Sequence, residues 1–136
     1  MRPTSWLLTW AASMVAFLAI DLVWLGIVAR GFYRGRLGDL LRPDVNWTAA
    51  LLFYALYVAA VLFFAVAPAL ERGGLGRAVL LGALFGGIAY ATYDLTNLAT
   101  LRGFPTVVAV VDIAWGCVLT GSVAAAGYFV AGRLTG

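Results

Sequence analysis

Lysine and histidine are missing from this 136-residue chain, and cysteine occurs once, at Cys117. Without histidine there is no imidazole to shuttle protons near neutral pH, and the commonest metal ligand is gone. A single cysteine permits neither an internal disulfide nor a thiolate metal cluster. Charge is also scarce. Acidic and basic residues make up 11% of the chain, against roughly 25% in soluble domains. So few charges cannot cover a water-facing surface, but they suffice to cap helices whose flanks face lipid. All nine basic residues are arginine, and the net charge of +3 is too dispersed to indicate a nucleic-acid partner.

What the chain has is hydrocarbon: 64% hydrophobic residues and a mean hydropathy of +0.99. Four apolar segments stand out, at about residues 5–29, 47–67, 78–101 and 105–130. A helix needs about 20 apolar residues to cross a hydrocarbon core of ~30 Å. Each segment meets that length, and none alternates in polarity as a membrane β-strand would. The first is too long for a cleaved signal sequence, whose apolar core runs to about 15 residues. The expectation is an all-α, integral membrane bundle of four transmembrane helices. It forms a single membrane domain over residues 1–136, with the lipid bilayer as its first partner.

The breaks carry chemical punctuation. Asn46 or Asp44 suits the cap of the second segment. Pro68 is expected to end it, ahead of a polar turn at Glu71-Arg72-Gly73-Gly74. Gly103 suits the end of the third segment, and Pro105 the first turn of the fourth. The first connection, residues 30–46, is longer and mixes Arg30, Arg34, Arg36 and Arg42 with Phe32, Tyr33, Leu37, Leu40 and Leu41. A short amphipathic helix at the membrane surface fits it, its arginines contacting lipid head groups; a charged stop-transfer loop fits it equally. Arginines divide four against five between the two sides, so charge does not choose an orientation.

Small residues recur every four positions at Ala78, Gly82 and Gly86, and again at Cys117, Gly121 and Ala125. Such faces let helix backbones approach closely in lipid. Packing within the chain is the first use to expect, and a homodimer the second. Trp6, Trp10 and Trp47 fall near segment ends, where indoles anchor at the interface.

Three carboxylates lie inside the apolar segments: Asp21, Asp94 and Asp112. An Asp at a helix centre costs about 2.5–3.5 kcal/mol to insert. Counting from the segment ends puts all three at one level, roughly 10–12 Å inside the leaflet beside the first connection. Polar and aromatic groups share their faces at spacings of three or four. Trp24 follows Asp21, Trp115 follows Asp112, and Tyr90 and Asn97 flank Asp94, with Tyr93 adjacent. Such intramembrane groups mark ion, proton or substrate pathways, and a carboxyl there can exchange a proton for a cationic ligand. Alternatively they pin helices together, bonding to Tyr, Trp, Asn or Thr, or pairing with Arg30 or Arg102. No cofactor is expected, and no residue set commits to a metal.

The runs Ile20–Gly26, Pro43–Trp47, Tyr90–Leu101 and Val111–Gly116 carry a family resemblance. Over nearly its whole length the chain resembles the bacterial membrane family catalogued as domain of unknown function 2177. The resemblance implies a four-helix protein of the bacterial inner membrane and carries no assigned activity. The residues themselves favour a small-molecule or ion binding or transport protein built on the aspartates. In size and buried acid it is similar to small multidrug-resistance transporters, with Asp21 in the part of their first-helix acid. A dimer would be needed to enclose a pathway. A membrane-embedded lipid-modifying enzyme, or its accessory subunit, is the alternative, and a structural partner of a membrane complex is a third.

Overall fold

A computed structural model describes residues 2–135, and all of its regular structure is helical. Four helices are long and apolar enough to cross a membrane: α1 (Pro3–Val28), α3 (Trp47–Glu71), α4 (Gly74–Thr100) and α5 (Thr106–Thr135). A shorter helix, α2 (Arg30–Leu37), lies in the first connection and leads into a 3-10 turn at Gly38–Leu40.

Local sequence sets the helix starts. Pro3 occupies the first turn of α1, where its missing N–H is no loss. Asn46 caps α3, its side-chain oxygen accepting from the Ala49 N–H at 3.2 Å. Asp44, the other candidate cap, instead sits exposed, 3.8 Å from Arg42. Gly73 (φ 111°) and Gly74 (φ 71°) turn the chain between α3 and α4, a conformation side chains rarely adopt. The Pro105 carbonyl accepts from the Ala109 N–H at 3.3 Å. The proline therefore stands at the cap of α5, one residue ahead of its first turn.

Two spans contain a widened, π-type turn. In α3 it covers Leu62–Val66, just before Pro68. A proline inside a helix lacks an N–H and presses its ring on the carbonyl four residues back. The wide turn relieves that clash, so the helix continues to Glu71 instead of stopping at Pro68. In α1 the turn covers Trp24–Val28 and is closed by the Ala29 N–H to the Trp24 carbonyl at 2.7 Å. No proline demands it. It ends α1 and redirects the chain so that α2 packs across the end of the bundle. There Ala29 and Tyr33 join Phe104, Val108 and Ala109 in a buried cluster, with Phe32, Leu37 and Leu98 at its edge.

The main core lies nearer the other end. Phe17 of α1, Val58, Val61 and Leu62 of α3, and Leu119 and Val123 of α5 fill it. Trp10 packs on this core and donates its indole N–H to the Ala55 carbonyl at 3.1 Å, so it ties α1 to α3. Trp47 is exposed. The outer surface is apolar, with Val15, Leu52, Phe63, Ile88, Val118 and Phe129 pointing outward. Water would penalise such a surface and lipid accepts it.

Helix α5 packs most extensively on α4, then on α1. The α4–α5 seam has no room for larger side chains. A Cβ on Gly82 would fall 2.6 Å from the Ala124 Cβ, and one on Gly86 would run into the Gly116 carbonyl and Thr120. Ala78, Gly82 and Gly86 are all buried, so the first small-residue run is consumed within the chain. Of the second run, Gly121 is buried on the same seam, while Cys117 and Ala125 are half-buried.

Gly86→Ala should therefore push α4 from α5 and cost about 1–3 kcal/mol, read as a lower thermal midpoint of the detergent-purified protein. Gly76→Ala, on the same helix but in open space, should leave the midpoint unchanged or slightly raised. Equal effects would contradict the close seam.

Candidate functional site

Asp21 on α1, Asp94 on α4 and Asp112 on α5 come together beside the cluster that α2 completes. Asp112 lies in the middle. Its carboxyl is close enough to those of Asp94 and Asp21 to act on both electrostatically. The three form a row; among the described residues no three His, Cys, Asp or Glu close into a ready metal-ligand set.

The repeated Asp-x-x-Trp of α1 and α5 explains how the row is held. The two helices run antiparallel, and each serves the other's acid. Trp115 of α5 donates its indole N–H to Asp21 Oδ1 at 3.0 Å. Trp24 of α1 donates to the Tyr33 hydroxyl at 3.1 Å, and Tyr33 donates to Asp112 Oδ1 at 2.9 Å. The two indoles stack between these bonds, ring centres 4.4 Å apart and 9° from parallel. Burial pushes the Tyr33 phenol above its usual range and the Asp112 charge adds to that, against a pull downward from the Trp24 donor. Tyr33 thus stays a neutral O–H donor at physiological pH.

Asp94 is the exception. It is fully buried, and neither carboxyl oxygen has a hydrogen-bond partner among the described residues. Its neighbour is Asp112, and two ionised carboxylates offer each other no donor. The contact is favourable only with a proton or another cation between them. No arginine supplies one: among the described residues the sole ion pair is the exposed Arg42–Asp44. The pairing of a buried aspartate with Arg30 or Arg102 does not occur.

Asp112 also opens onto a cleft of about 370 Å³. Phe53 and Tyr57 of α3 and Tyr90 and Tyr93 of α4 form its aromatic walls, with Ala89 between, and Asp112 is its one charged lining group among the described residues. Tyr57 is held by Thr120, hydroxyl to hydroxyl at 2.7 Å. Tyr90 lies against Gly116, where a Cβ would strike its ring. Tyr93 is largely exposed, at the mouth.

Of the sequence candidates, Asp21, Trp24, Asp94, Asp112 and Trp115 belong to the row, and Tyr90 and Tyr93 to the cleft. Asn97 joins neither: it is half-buried, makes no side-chain hydrogen bond among the described residues, and does not line the cleft. Arg30, Arg34 and Arg42 line a second hollow, which Tyr33 also lines. Arg36 points elsewhere, its guanidinium 4.4 Å from the Phe32 ring centre. Sequence reasoning missed Tyr33, Phe53 and Tyr57 as site residues. The spacing of Ala29, Tyr33 and Leu37 did carry a signal, one apolar seam at intervals of four.

Tyr33→Phe removes the shared hydroxyl and leaves the Trp24 N–H and Asp112 each short of a partner. It should cost about 1–3 kcal/mol, seen as a lower melting midpoint together with a shift in tryptophan emission. Asp112→Asn keeps an oxygen to accept from Tyr33 and should cost less. A Tyr33→Phe protein that melts and emits like the parent would show that this bond does not form.

No curated protein and no solved structure matches the chain. The family model described as predicted membrane protein (DUF2177) matches residues 6–129, a stretch that takes in all four spans, the carboxylate row and the cleft. The chain belongs to that membrane protein family.

Proposed function

We propose that this protein binds a small lipophilic cation at Asp112 and Asp94 and carries it across the inner membrane of a bacterium in exchange for protons. The observation that supports the reading best is the aromatic-walled cleft whose one charged wall group, Asp112, leans on the partnerless Asp94. Aromatic faces attract cations, and more strongly when water is excluded. A carboxylate at the base supplies the full charge. All nine arginines lie near or beyond the ends of the four spans, so the positive charge that balances this pair comes from outside the chain. A proton or an organic cation can fill the role, and each displaces the other. That competition is the elementary step of proton–cation exchange.

In this reading Asp21 has a different part from the first-helix acid of small multidrug transporters. It does not line the cleft, and its bond to Trp115 holds the stacked indoles. A second copy of the chain would complete an enclosed pathway.

Tetraphenylphosphonium binding to the purified protein tests the assignment. Asp112→Asn and Asp94→Asn should each weaken it by about tenfold or more, the scale of a lost buried charge partner. Asp21→Asn retains an acceptor for Trp115 and should bind nearly as the parent does. Because protons compete with the cation, parental affinity should rise with pH. Undiminished binding by Asp112→Asn, or affinity that ignores pH, would refute the reading.

A further inference from the structure

The arginines of the first connection surround a hollow that none of the three carboxylates lines, although Tyr33, which bonds to Asp112, forms part of its wall. It measures about 650 Å³ and lies between the last turn of α1, helix α2 and the segment that leads to α3. Arg30 and Arg34 sit one helical turn apart on α2, and Arg42 faces them from the following segment. Leu25, Leu41 and Val45 are among the apolar groups of the rim, and all three are exposed.

We propose that this hollow holds the phosphate of a membrane phospholipid, its apolar rim receiving the first carbons of the acyl chains. Charge argues for an anion. The connection carries four arginines against Asp39 and Asp44. Only Arg42 has an acidic partner among the described residues, at 3.8 Å with both side chains exposed, a weak pair. Guanidinium groups match phosphate oxygens with paired hydrogen bonds. The rim argues for a lipid over a free anion, because inorganic phosphate gains nothing from exposed leucine and valine. Position agrees: Leu25 belongs to the final turn of a span, so the hollow sits where hydrocarbon gives way to polar head groups. Arg36 is excluded, since it stacks on Phe32 away from the hollow. The site is separate from the cation cleft and does not depend on that reading.

Native mass spectrometry of the detergent-solubilised protein, titrated with phosphatidic acid, tests the assignment. The parent should retain the lipid, and diacylglycerol, which lacks the phosphate, should not be held. Arg30→Gln and Arg34→Gln should each weaken retention by about tenfold, the worth of a charge-assisted hydrogen bond. Arg36→Gln, an equal loss of charge on the same helix, should bind like the parent. Should an α2 variant fail to fold, as judged by its melting midpoint, Arg42→Gln outside the helices gives the same reading. Equal retention of diacylglycerol, an equal loss in Arg36→Gln, or displacement of the lipid by excess inorganic phosphate would overturn the proposal.

Discussion

A carboxyl group within hydrocarbon must be met by a donor or by a positive charge, and among the described residues no arginine pairs with the buried aspartates. The architecture around Asp21 and Asp112 follows from that requirement. Two indoles and one phenol supply the N–H and O–H groups. The phenol belongs to a helix outside the four spans, and it reaches Asp112 only because the π-type turn at Trp24–Val28 swings α2 back across the bundle end. Wide turns of this kind recur at functional sites. Here the turn begins at one of the donor residues, Trp24, so the distortion and the polar contact come from the same stretch of chain.

Close packing and site geometry share a residue. Gly116 adjoins Trp115 in sequence, gives its carbonyl face to Gly86, and leaves room for the Tyr90 ring. Small residues on the α4–α5 seam therefore do more than join two helices. They set how near Asp94 comes to Asp112 and where Tyr90 forms the cleft wall. A bulkier seam would separate the acids as well as the backbones.

Much of this was legible in the sequence, because lipid imposes simple rules. Span length follows from bilayer thickness, and helical spacing put Trp24 with Asp21 and Trp115 with Asp112. Spacing within a helix gives a face and not the neighbour that the face meets. That Trp115 bonds the acid of the opposite helix directly, and Trp24 only through Tyr33, was therefore invisible, as was the approach of Asp94 to Asp112. Pro68 reads as a stop, yet a wider turn absorbs it. The α1 turn has no proline to announce it. Tyr33, among arginines, reads as one more interfacial aromatic, and only its interval of four from Ala29 and Leu37 betrays a buried seam. Asn97 shares a helix face with Asp94 in principle but lies a turn nearer the helix end, where Phe104 and Leu98 shape the packing.

The exposure of Phe53 and Tyr93 on either side of the cleft has a further consequence. Both flank its mouth on the outer flank of the helices, so the opening faces acyl chains and not the aqueous phase. Under the cation-binding proposal, a guest arriving there would already have dissolved in the bilayer. Its occupancy is then governed by partitioning, which can enrich an amphiphile in the membrane far above its level in water. Modest intrinsic affinity suffices under those conditions, and hydrophobicity outside the protein does part of the selection before any contact is made.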